Sequence, residues 1–374
     1  MTSTRPSAPP SPIDRLFLQR AYELAARGVG STAPNPPVGA VVVREGRIVG
    51  EGYHHRAGEA HAEVNALAQA GEAAQGATLY VSLEPCVCAG RVPPCAPAIA
   101  AAGVARVVAG AIDPNPKNRG LGVAFLRESG VEVETVDDES ARALIEKFAT
   151  TVTSDRPYVA LKMAMSLDGA ITSEPRVQEW ITSEAERLYV RELRIAYDAV
   201  LVGAGTVRVD DPQLTVRPPH YRLRPFVRVV ACESGTIAPG SRILNGAQDY
   251  AETIVLAPAA RRADFKALDG LARMIFVGDA EESHLDLGAA MQALRAAGVS
   301  SVLCEGGPTL GARLIAAGAV DRFYWAIAPR LLGNDRAVPV LVGVDFAALR
   351  PRLRFDRVMQ VGEDVVVSGT FGRV

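Results

Sequence analysis

Two patterns of apolar positions alternate along this chain. In one, apolar residues recur every three or four positions. In the other, short Val/Ile/Leu-rich runs are bounded by Gly, Pro, Asn or Asp. The first predicts helices and the second strands. The early part predicts a helix at 13–28, a hairpin of strands 38–43 and 47–53 turning through Glu45-Gly46, and a helix at 62–70. A strand at 77–83, a helix at 94–102 and a strand at 105–110 follow. A helix at 120–128, a strand at 131–136 and a helix at 139–149 complete this part.

A polar stretch, 150–157, ends in proline and marks the candidate domain boundary. The pattern then restarts, with strands at 158–164, 199–202, 227–231, 253–257, 274–277, 301–304 and 322–328. Helices at 184–196, 287–297 and 309–317 lie between them. Residues 364–371 alternate as an edge or closing strand. Strand–helix alternation on both sides of the boundary implies two α/β layered domains, at 13–150 and 151–374. Residues 1–12, rich in Ser, Pro and Thr without an apolar core, read as a disordered leader and not as a signal peptide.

Composition narrows the function classes. The chain has 374 residues, 48% hydrophobic and 22% charged, with a formal net charge of −2. That is the balance of a globular protein with real cores. The near-neutral charge, with no Lys/Arg block, disfavours a nucleic-acid partner. No apolar run reaches the ~20 residues that span a bilayer, so a membrane partner is not expected and the cytoplasm is the default location. Of the five cysteines, Cys86, Cys88 and Cys95 cluster. In a reducing compartment such a cluster favours metal binding over disulfides. Cys232 and Cys304 end apolar strands and read as buried small hydrophobes.

The sharpest chemical signal is His61-Ala62-Glu63 followed by Pro85-Cys86 and Pro94-Cys95. A His-x-Glu with later Pro-Cys and Cys positions is the signature of zinc deaminases. One imidazole and two thiolates hold Zn²⁺ and leave a fourth position open for water. The metal brings that water's pKa toward neutrality, and a nearby carboxylate then moves its proton to the ring nitrogen and the leaving amine. Glu63, two residues past a ligand, suits that role. The cysteine spacing is wider than the usual Cys-x-x-Cys. On spacing alone, any two of Cys86, Cys88 and Cys95 can complete the set with His61.

These residues sit in longer matching stretches: Pro34-Asn35-Pro36-Pro37-Val38-Gly39, Gly52-Tyr53-His54, His61-Ala62-Glu63-Val64, Leu83-Glu84-Pro85-Cys86, Gly90-Arg91-Val92-Pro93-Pro94-Cys95 and Asp113-Pro114-Asn115-Pro116. Together they resemble the deaminase half of the bifunctional riboflavin-biosynthesis deaminase/reductase family. The resemblance implies a cytidine-deaminase-like three-layer domain. It assigns zinc to His61, Cys86 and Cys95, with Glu63 as proton shuttle, and it implies substrate contacts from Asn35, His54, Arg91, Asp113 and Asn115. The chain departs from the family at Cys88, where a histidine is usual, and at Val92, where a threonine is usual.

In the second domain the bare pattern says less. Cys304-Glu305-Gly306-Gly307-Pro308-Thr309-Leu310-Gly311 joins a strand to a helix. Glycines there let a backbone approach a phosphate at a helix N-terminus. Gly203-Ala204-Gly205-Thr206 is a second glycine-rich strand exit. Neither is a Gly-x-Gly-x-x-Gly fingerprint. The resemblance again carries the detail, through 162–169, Trp180-Ile181-Thr182-Ser183, 202–206, Asp210-Asp211-Pro212, Leu214-Thr215-Val216-Arg217 and the Glu305-Gly306-Gly307 turn. It implies a dihydrofolate-reductase-like domain using NADPH. The cofactor would lie near Ala164, Trp180, Thr206, Asp210 and the turn of Gly307, Pro308, Thr309, Leu310 and Gly311. Substrate would lie near Lys162, Ser183, Arg194, Leu214, Arg217 and Glu305, with arginines suited to its phosphate. The strand ending in Cys232-Glu233 departs from the expected aspartate-type end.

The implied reactions are hydrolytic deamination of 2,5-diamino-6-(5-phosphoribosylamino)pyrimidin-4(3H)-one and NADPH-dependent reduction of its ribosyl group to ribityl. The implied partner is thus a small phosphorylated pyrimidine, and the chain is expected to form a homo-oligomer, a dimer or tetramer. A deaminase acting on RNA would show a basic groove with aromatic platforms, and the sequence has neither. A zinc-stabilised scaffold would need four protein ligands and no shuttle.

Overall fold

The computed structural model describes residues 10–88, 90–216, 226–245 and 251–372. The chain divides into two compact units, Met1–Ser154 and Asp155–Val374. Both are α/β.

The first unit runs α1 (Pro12–Ala26), β1 (Gly39–Arg44), β2 (Arg47–Tyr53), α2 (Ala62–Ala70), β3 (Thr78–Val81), α3 (Cys95–Ala101), β4 (Arg106–Ala109), α4 (Leu121–Glu128), β5 (Glu132–Thr135) and α5 (Glu139–Thr153). Its sheet has the order β2-β1-β3-β4-β5. β1 is antiparallel to β2 and β3, and β3, β4 and β5 are parallel. Strand alternation sends side chains to two cores. Ala40, Val42, Leu79, Val81, Val107 and Ala109 pack with α2, α3 and α4. Val41, Val43, Tyr80 and Val108 pack with α1 and α5. Helices on both faces of one sheet make three layers.

Close approach of α2 to the sheet depends on two glycines of β2. A Cβ at Gly50 would sit 2.2 Å from the Ala66 carbonyl oxygen, and one at Gly52 would sit 2.5 Å from that of Ala62. The alanine face of α2, Ala62, Ala66 and Ala70, is correspondingly buried. This contact sets the height of the helix that carries His61 and Glu63.

Two expectations change at the ends of this unit. Ser11 caps α1, its hydroxyl accepting from Asp14 N–H, and Pro12 is the first helical residue. Both belong to the fold and not to a leader; residues 1–9 lie outside the described residues. At the other end, α5 continues to Thr153, so the first half of the polar stretch that marks the boundary is helical. Thr150 and Thr151 are buried in it.

The second unit runs β6 (Tyr158–Ser166), β7 (Ala170–Thr172), α6 (Glu184–Ile195), β8 (Ala199–Gly203), α7 (Ala204–Asp210), β9 (Phe226–Ala231), α8 (Arg242–Asn245), β10 (Ala251–Pro258), β11 (Arg273–Val277), α9 (Leu287–Ala296), β12 (Ser301–Cys304), α10 (Pro308–Ala316), β13 (Arg322–Ala328), β14 (Val338–Pro339), α11 (Phe346–Leu349), β15 (Leu353–Val361) and β16 (Asp364–Phe371). Among the described residues its main sheet has the order β11-β10-β9-β8-β12-β6-β13-β16-β15. The strands from β11 to β13 are parallel, and β16 and β15 return antiparallel. Parallel strands buried on both faces read as continuous apolar runs, as Ala199–Gly203 and Ser301–Cys304 do.

Residues 364–371 form a strand as expected, but β15 lies outside it and is the true edge. The sequence hid β15 because its residues are mostly exposed on both faces. Pairing with β16, across a bulge between Phe355 and Arg357, holds it in place. After β8 and β9 the chain moves outward through β10 and β11, then returns to insert β12 between β8 and β6. Ligands of open α/β sheets bind at the carboxyl ends of strands beside such a reversal. Among the described residues, no helix is long and apolar enough to cross a membrane.

Candidate active sites

In the first unit, three helix and strand ends converge. His61 is the N-cap of α2, Cys86 lies in the loop after β3, and Cys95 opens α3 behind Pro94. Their ligand atoms all lie within 4.8 Å of one another, the one such group of three among the described residues. His61 Nδ1 is 3.1 Å from Cys95 Sγ and 3.6 Å from Cys86 Sγ. The Cys95 N–H donates to Cys86 Sγ at 3.4 Å. Hydrogen bonding from the Cys95 thiol holds the Cys86 thiol well below its usual range and the Cys95 thiol well above its own. One imidazole and two sulfurs form a soft donor set suited to zinc, with room for a non-protein fourth ligand.

Glu63 sits in the first turn of α2, 4% exposed. Burial, and then the Cys86 charge, push its carboxyl up to about 7. A carboxyl poised near neutrality beside such a set can take and return a proton. Cys88 stands apart from the cluster: it is exposed, and its thiol donates to the Lys117 carbonyl at 2.9 Å.

The expected substrate residues fall into two groups. His54 is buried, with its ring edge against His61 at 5.1 Å between centroids. Its Nδ1 lies 3.1 Å from the Ala60 carbonyl and its Nε2 lies 3.1 Å from Asn35 Nδ2. A carbonyl only accepts and an amide nitrogen only donates, so the ring is a neutral Nδ1–H tautomer. Burial lowers its pKa accordingly. Asn35 is thereby oriented by His54. His55, in contrast, is exposed and stacks on Tyr53. Arg91 is exposed in the loop before Cys95. Asp113 is 6% exposed, and burial raises its pKa. Its Oδ1 accepts from Asn115 N–H and its Oδ2 from Asn118 Nδ2.

Two residues that sequence reasoning passed over organise this region. Glu84, 3% exposed, accepts four backbone N–H groups: Gly122 and Val123 on Oε1, Asp113 and Gly120 on Oε2. It ties the start of α4 to the strand end that leads into Cys86. Asn118 accepts from Val87 N–H at 2.9 Å while donating to Asp113, so it joins the cysteine loop to the Asp113 loop. Glu84 stood inside a matched motif, which was its available signal.

In the second unit the candidates gather at the carboxyl ends of β6, β8 and β12. The two glycine-rich exits face each other. A Cβ at Gly306 would lie 3.4 Å from Gly203 N and 2.7 Å from Leu310 Cδ2, and one at Gly307 would lie 3.6 Å from Thr206 Oγ1. Gly307 is the N-cap of α10 and Pro308 its first residue, with Thr309 exposed and Leu310 and Gly311 buried. The helix thus offers free N–H groups at a turn without side-chain cover. Lys162 and Ala164 share one face of β6. Trp180 is 63% exposed, with the Arg187 guanidinium 5.1 Å above its ring. Asp210 ends α7, and burial raises its pKa. Leu214 is buried in a left-handed conformation, φ 50°.

Arg194 and Glu305 are brought together, in a paired fork: Nε to Oε1 at 2.6 Å and Nη2 to Oε2 at 2.7 Å. Arg194 is 8% exposed, and its Nη1 donates to the Thr215 carbonyl. Its guanidinium is therefore directed at protein groups. Ser183 serves as the N-cap of α6, and both its N–H and its hydroxyl donate to Asp364 Oδ2, at 2.8 and 2.6 Å. Arg217 lies outside the described residues.

Comparison with known proteins covers both units. The cytidine and deoxycytidylate deaminase zinc-binding region matches residues 11–111, and the RibD C-terminal domain matches residues 157–367. The riboflavin biosynthesis protein RibD of Escherichia coli strain K12 is 40% identical over 365 residues, covering 94% of this chain and 98% of that protein. RibD of Aquifex aeolicus is 40% identical, covering 95% and 98%. Among solved structures, Acinetobacter baumannii RibD superposes with a TM-score of 0.85 at 35% identity, covering 96% of this chain and 99% of that one. A diaminohydroxyphosphoribosylaminopyrimidine deaminase/5-amino-6-(5-phosphoribosylamino)uracil reductase from Thermotoga maritima does so with a TM-score of 0.82 at 34% identity, covering 96% and 99%.

Proposed function

This chain belongs to the RibD family of riboflavin biosynthesis proteins, and on that premise we propose which of its residues carry each of its two reactions. It is a bifunctional enzyme, a deaminase followed by a reductase, with a zinc-binding deaminase region and a reductase domain that implies a nicotinamide cofactor. The substrate is read as 2,5-diamino-6-(5-phosphoribosylamino)pyrimidin-4(3H)-one, first deaminated and then reduced at its ribosyl group to give 5-amino-6-(5-phosphoribitylamino)uracil. The observation that supports the assignment most strongly is the clustering of half-buried His61 and Cys86 with buried Cys95, and Glu63 beside them.

In this reading His61, Cys86 and Cys95 hold zinc, which when bound would supply a Lewis acid for activating water near neutral pH. Glu63 takes the first proton from the attacking water and delivers it to the ring nitrogen, then takes the second from the hydroxyl now on the ring carbon and gives it to the departing amine. Ammonia leaves as a carbonyl replaces the ring C–NH₂. Neutral His54 holds Asn35 against the ring's polar edge. Asp113 and Asn115, fixed in their loop, contact the same substrate, and Arg91 suits its phosphate.

In the second unit, NADPH when bound would supply the hydride. Gly307, Pro308, Thr309, Leu310 and Gly311, with Thr206 across from them, receive its phosphates. Ala164, Trp180 and Asp210 flank the rest of the cofactor. Lys162, Ser183, Leu214, Arg217 and Glu305 bind the ribosyl substrate, with Arg194 holding Glu305 in place. The chain is further read as a cytoplasmic protein, in keeping with five free cysteines. A homo-oligomer is supported by exposed Phe355 and Val358 on the edge strand β15. The functional test is NADPH consumption, followed by its absorbance. Oxidation is expected with the deaminated pyrimidine. Faster oxidation of NADH than of NADPH would reverse the cofactor assignment.

A further inference from the structure

Ser183 and Glu186 stand three residues apart at the start of α6, the pattern of a capping box. In a capping box the Glu at the third helical position turns back to accept the N-cap backbone N–H. Here it does not. Asp364, 1% exposed, accepts the Ser183 N–H at 2.8 Å and the Ser183 hydroxyl at 2.6 Å. With the cap satisfied from β16, the Glu186 carboxylate is released to point inward.

Glu186 is 1% exposed. Its Oε2 accepts from Thr182 Oγ1 at 2.8 Å, and its Oε1 lies 2.9 Å from Lys162 Nζ. Among the described residues, Oε1 has no directed hydrogen bond besides that ion pair. A buried carboxylate without compensation is costly, so the ammonium is bound to stay beside it. Lys162 is in turn half-buried on β6, with its side chain 13% exposed. Two turns further along α6, Arg194 grips Glu305. Val190 lies buried between the two charged positions. One helix face therefore reaches Lys162 and Glu305, two of the charged residues expected at the reductase site.

We propose that Glu186 is a positioning residue for reduction: it fixes the ammonium of Lys162, at the middle of β6 and one residue past the end of the neighbouring β12, and it can do so because Asp364 has taken over the cap of α6. The proposal rests on the reading that Lys162 contacts the ribosyl substrate. It assigns no chemistry to Glu186 itself, which acts through Lys162.

The test uses the zinc-loaded full chain and two independent variants, Glu186→Gln and Asp364→Ala. The first removes the counter-charge at nearly constant volume. The second orphans the Ser183 N–H, which Glu186 can then capture as an ordinary capping box, leaving Lys162. Both are read in two ways. Acylation of each lysine by acetic anhydride is mapped by mass spectrometry, with Lys117, Lys147 and Lys266 as internal references. Steady-state reduction gives kcat and KM for the deaminated substrate and for NADPH.

In both variants Lys162 is expected to be acylated several-fold faster relative to the other lysines. Reduction kcat is expected to fall by roughly 10- to 100-fold, the cost of about an ångström of misplacement. KM for NADPH and deamination by the same molecules should hold. A merely structural role for Glu186 would lower the melting temperature without changing the relative reactivity of Lys162. Unchanged Lys162 acylation in Glu186→Gln overturns the proposal. Faster acylation with wild-type kcat and KM overturns instead the reading of Lys162 on which the proposal rests.

Discussion

Glu84→Gln is the most informative single change in the deaminase unit, because one buried carboxylate there satisfies four backbone donors. Three of them, Gly120, Gly122 and Val123, lie at the start of α4, and the fourth is Asp113. The helix N-terminus supplies the partial positive charge that offsets the buried anion. Glutamine keeps the shape but replaces one oxygen with an NH₂ group. Whichever way it turns, two N–H groups lose their acceptor and face a donor. At about 1–3 kcal/mol for each buried unsatisfied donor, the cost is roughly 2–6 kcal/mol. Against a domain stability of about 5–15 kcal/mol this is a large fraction.

The assay is loss of each activity of the full chain in urea, since each reports on its own unit. With a slope of about 1–3 kcal/mol/M, the midpoint for deaminase loss should fall by roughly 1–2 M or more. The midpoint for reductase loss should not move. Refolding outward of the 113–122 loop would also displace Pro85, whose carbonyl a Cβ at Gly122 would meet at 1.9 Å. Deamination below the transition should therefore weaken as well. A deaminase midpoint equal to wild type would refute the argument that the carboxylate holds this loop.

Three further outcomes follow from the same geometry. Glu63→Gln should keep its zinc and lose deamination by roughly 10²–10⁴-fold, the worth of a general acid–base group, measured as ammonia release; near-normal turnover would remove Glu63 from the mechanism. Cys86→Ser and Cys95→Ser should lose zinc by atomic absorption while Cys88→Ser keeps one zinc per chain, because the Cys88 thiol is turned to the Lys117 carbonyl; loss of metal in Cys88→Ser alone would redraw the ligand set. The Arg106 guanidinium, with Ser11 and Tyr80, holds the buried Asp14 carboxyl well below its usual range. A depressed folded-state pKa gives stability that is complete above the unfolded value of about 3.9 and drains away as pH falls below it. Asp14→Asn should thus be less stable than wild type at neutral pH and should lose much of the wild-type acid dependence between about pH 4 and 2; parallel acid-unfolding curves would contradict this.

Much of the fold was written in the period of the apolar residues. The hairpin of β1 and β2, the helix α2 and the parallel strands of the second unit are long or strongly apolar, and local pattern suffices for them. β15 escaped because pairing, not burial, holds it. α7 escaped because Gly203-Ala204-Gly205-Thr206 reads as a loop, although the helix begins at Ala204. The zinc-type cluster was legible because its chemistry demands particular residue types, and proximity then selects Cys86 and Cys95 over Cys88 as the neighbours of His61. The supporting residues were not legible. Glu84 and Asn118 reach partners 29 and 31 positions away and Asp364 reaches one 181 positions away, and no local pattern encodes such pairs. At the start of α6, the acceptor for the Ser183 N–H comes from the distant Asp364 and not from Glu186 three residues on.

The central claim is that one chain deaminates a phosphoribosylated diaminopyrimidine and then reduces its sugar. The most direct measurement is mass spectrometry of the products formed by the zinc-loaded full chain from that substrate, with and without NADPH. Without NADPH the product should differ from substrate only by exchange of NH for O. With NADPH it should gain two further hydrogens, located by fragmentation on the ribosyl carbons. Substrate recovered unchanged in both reactions, or reduction of the sugar with the ring amine still in place, would contradict the account.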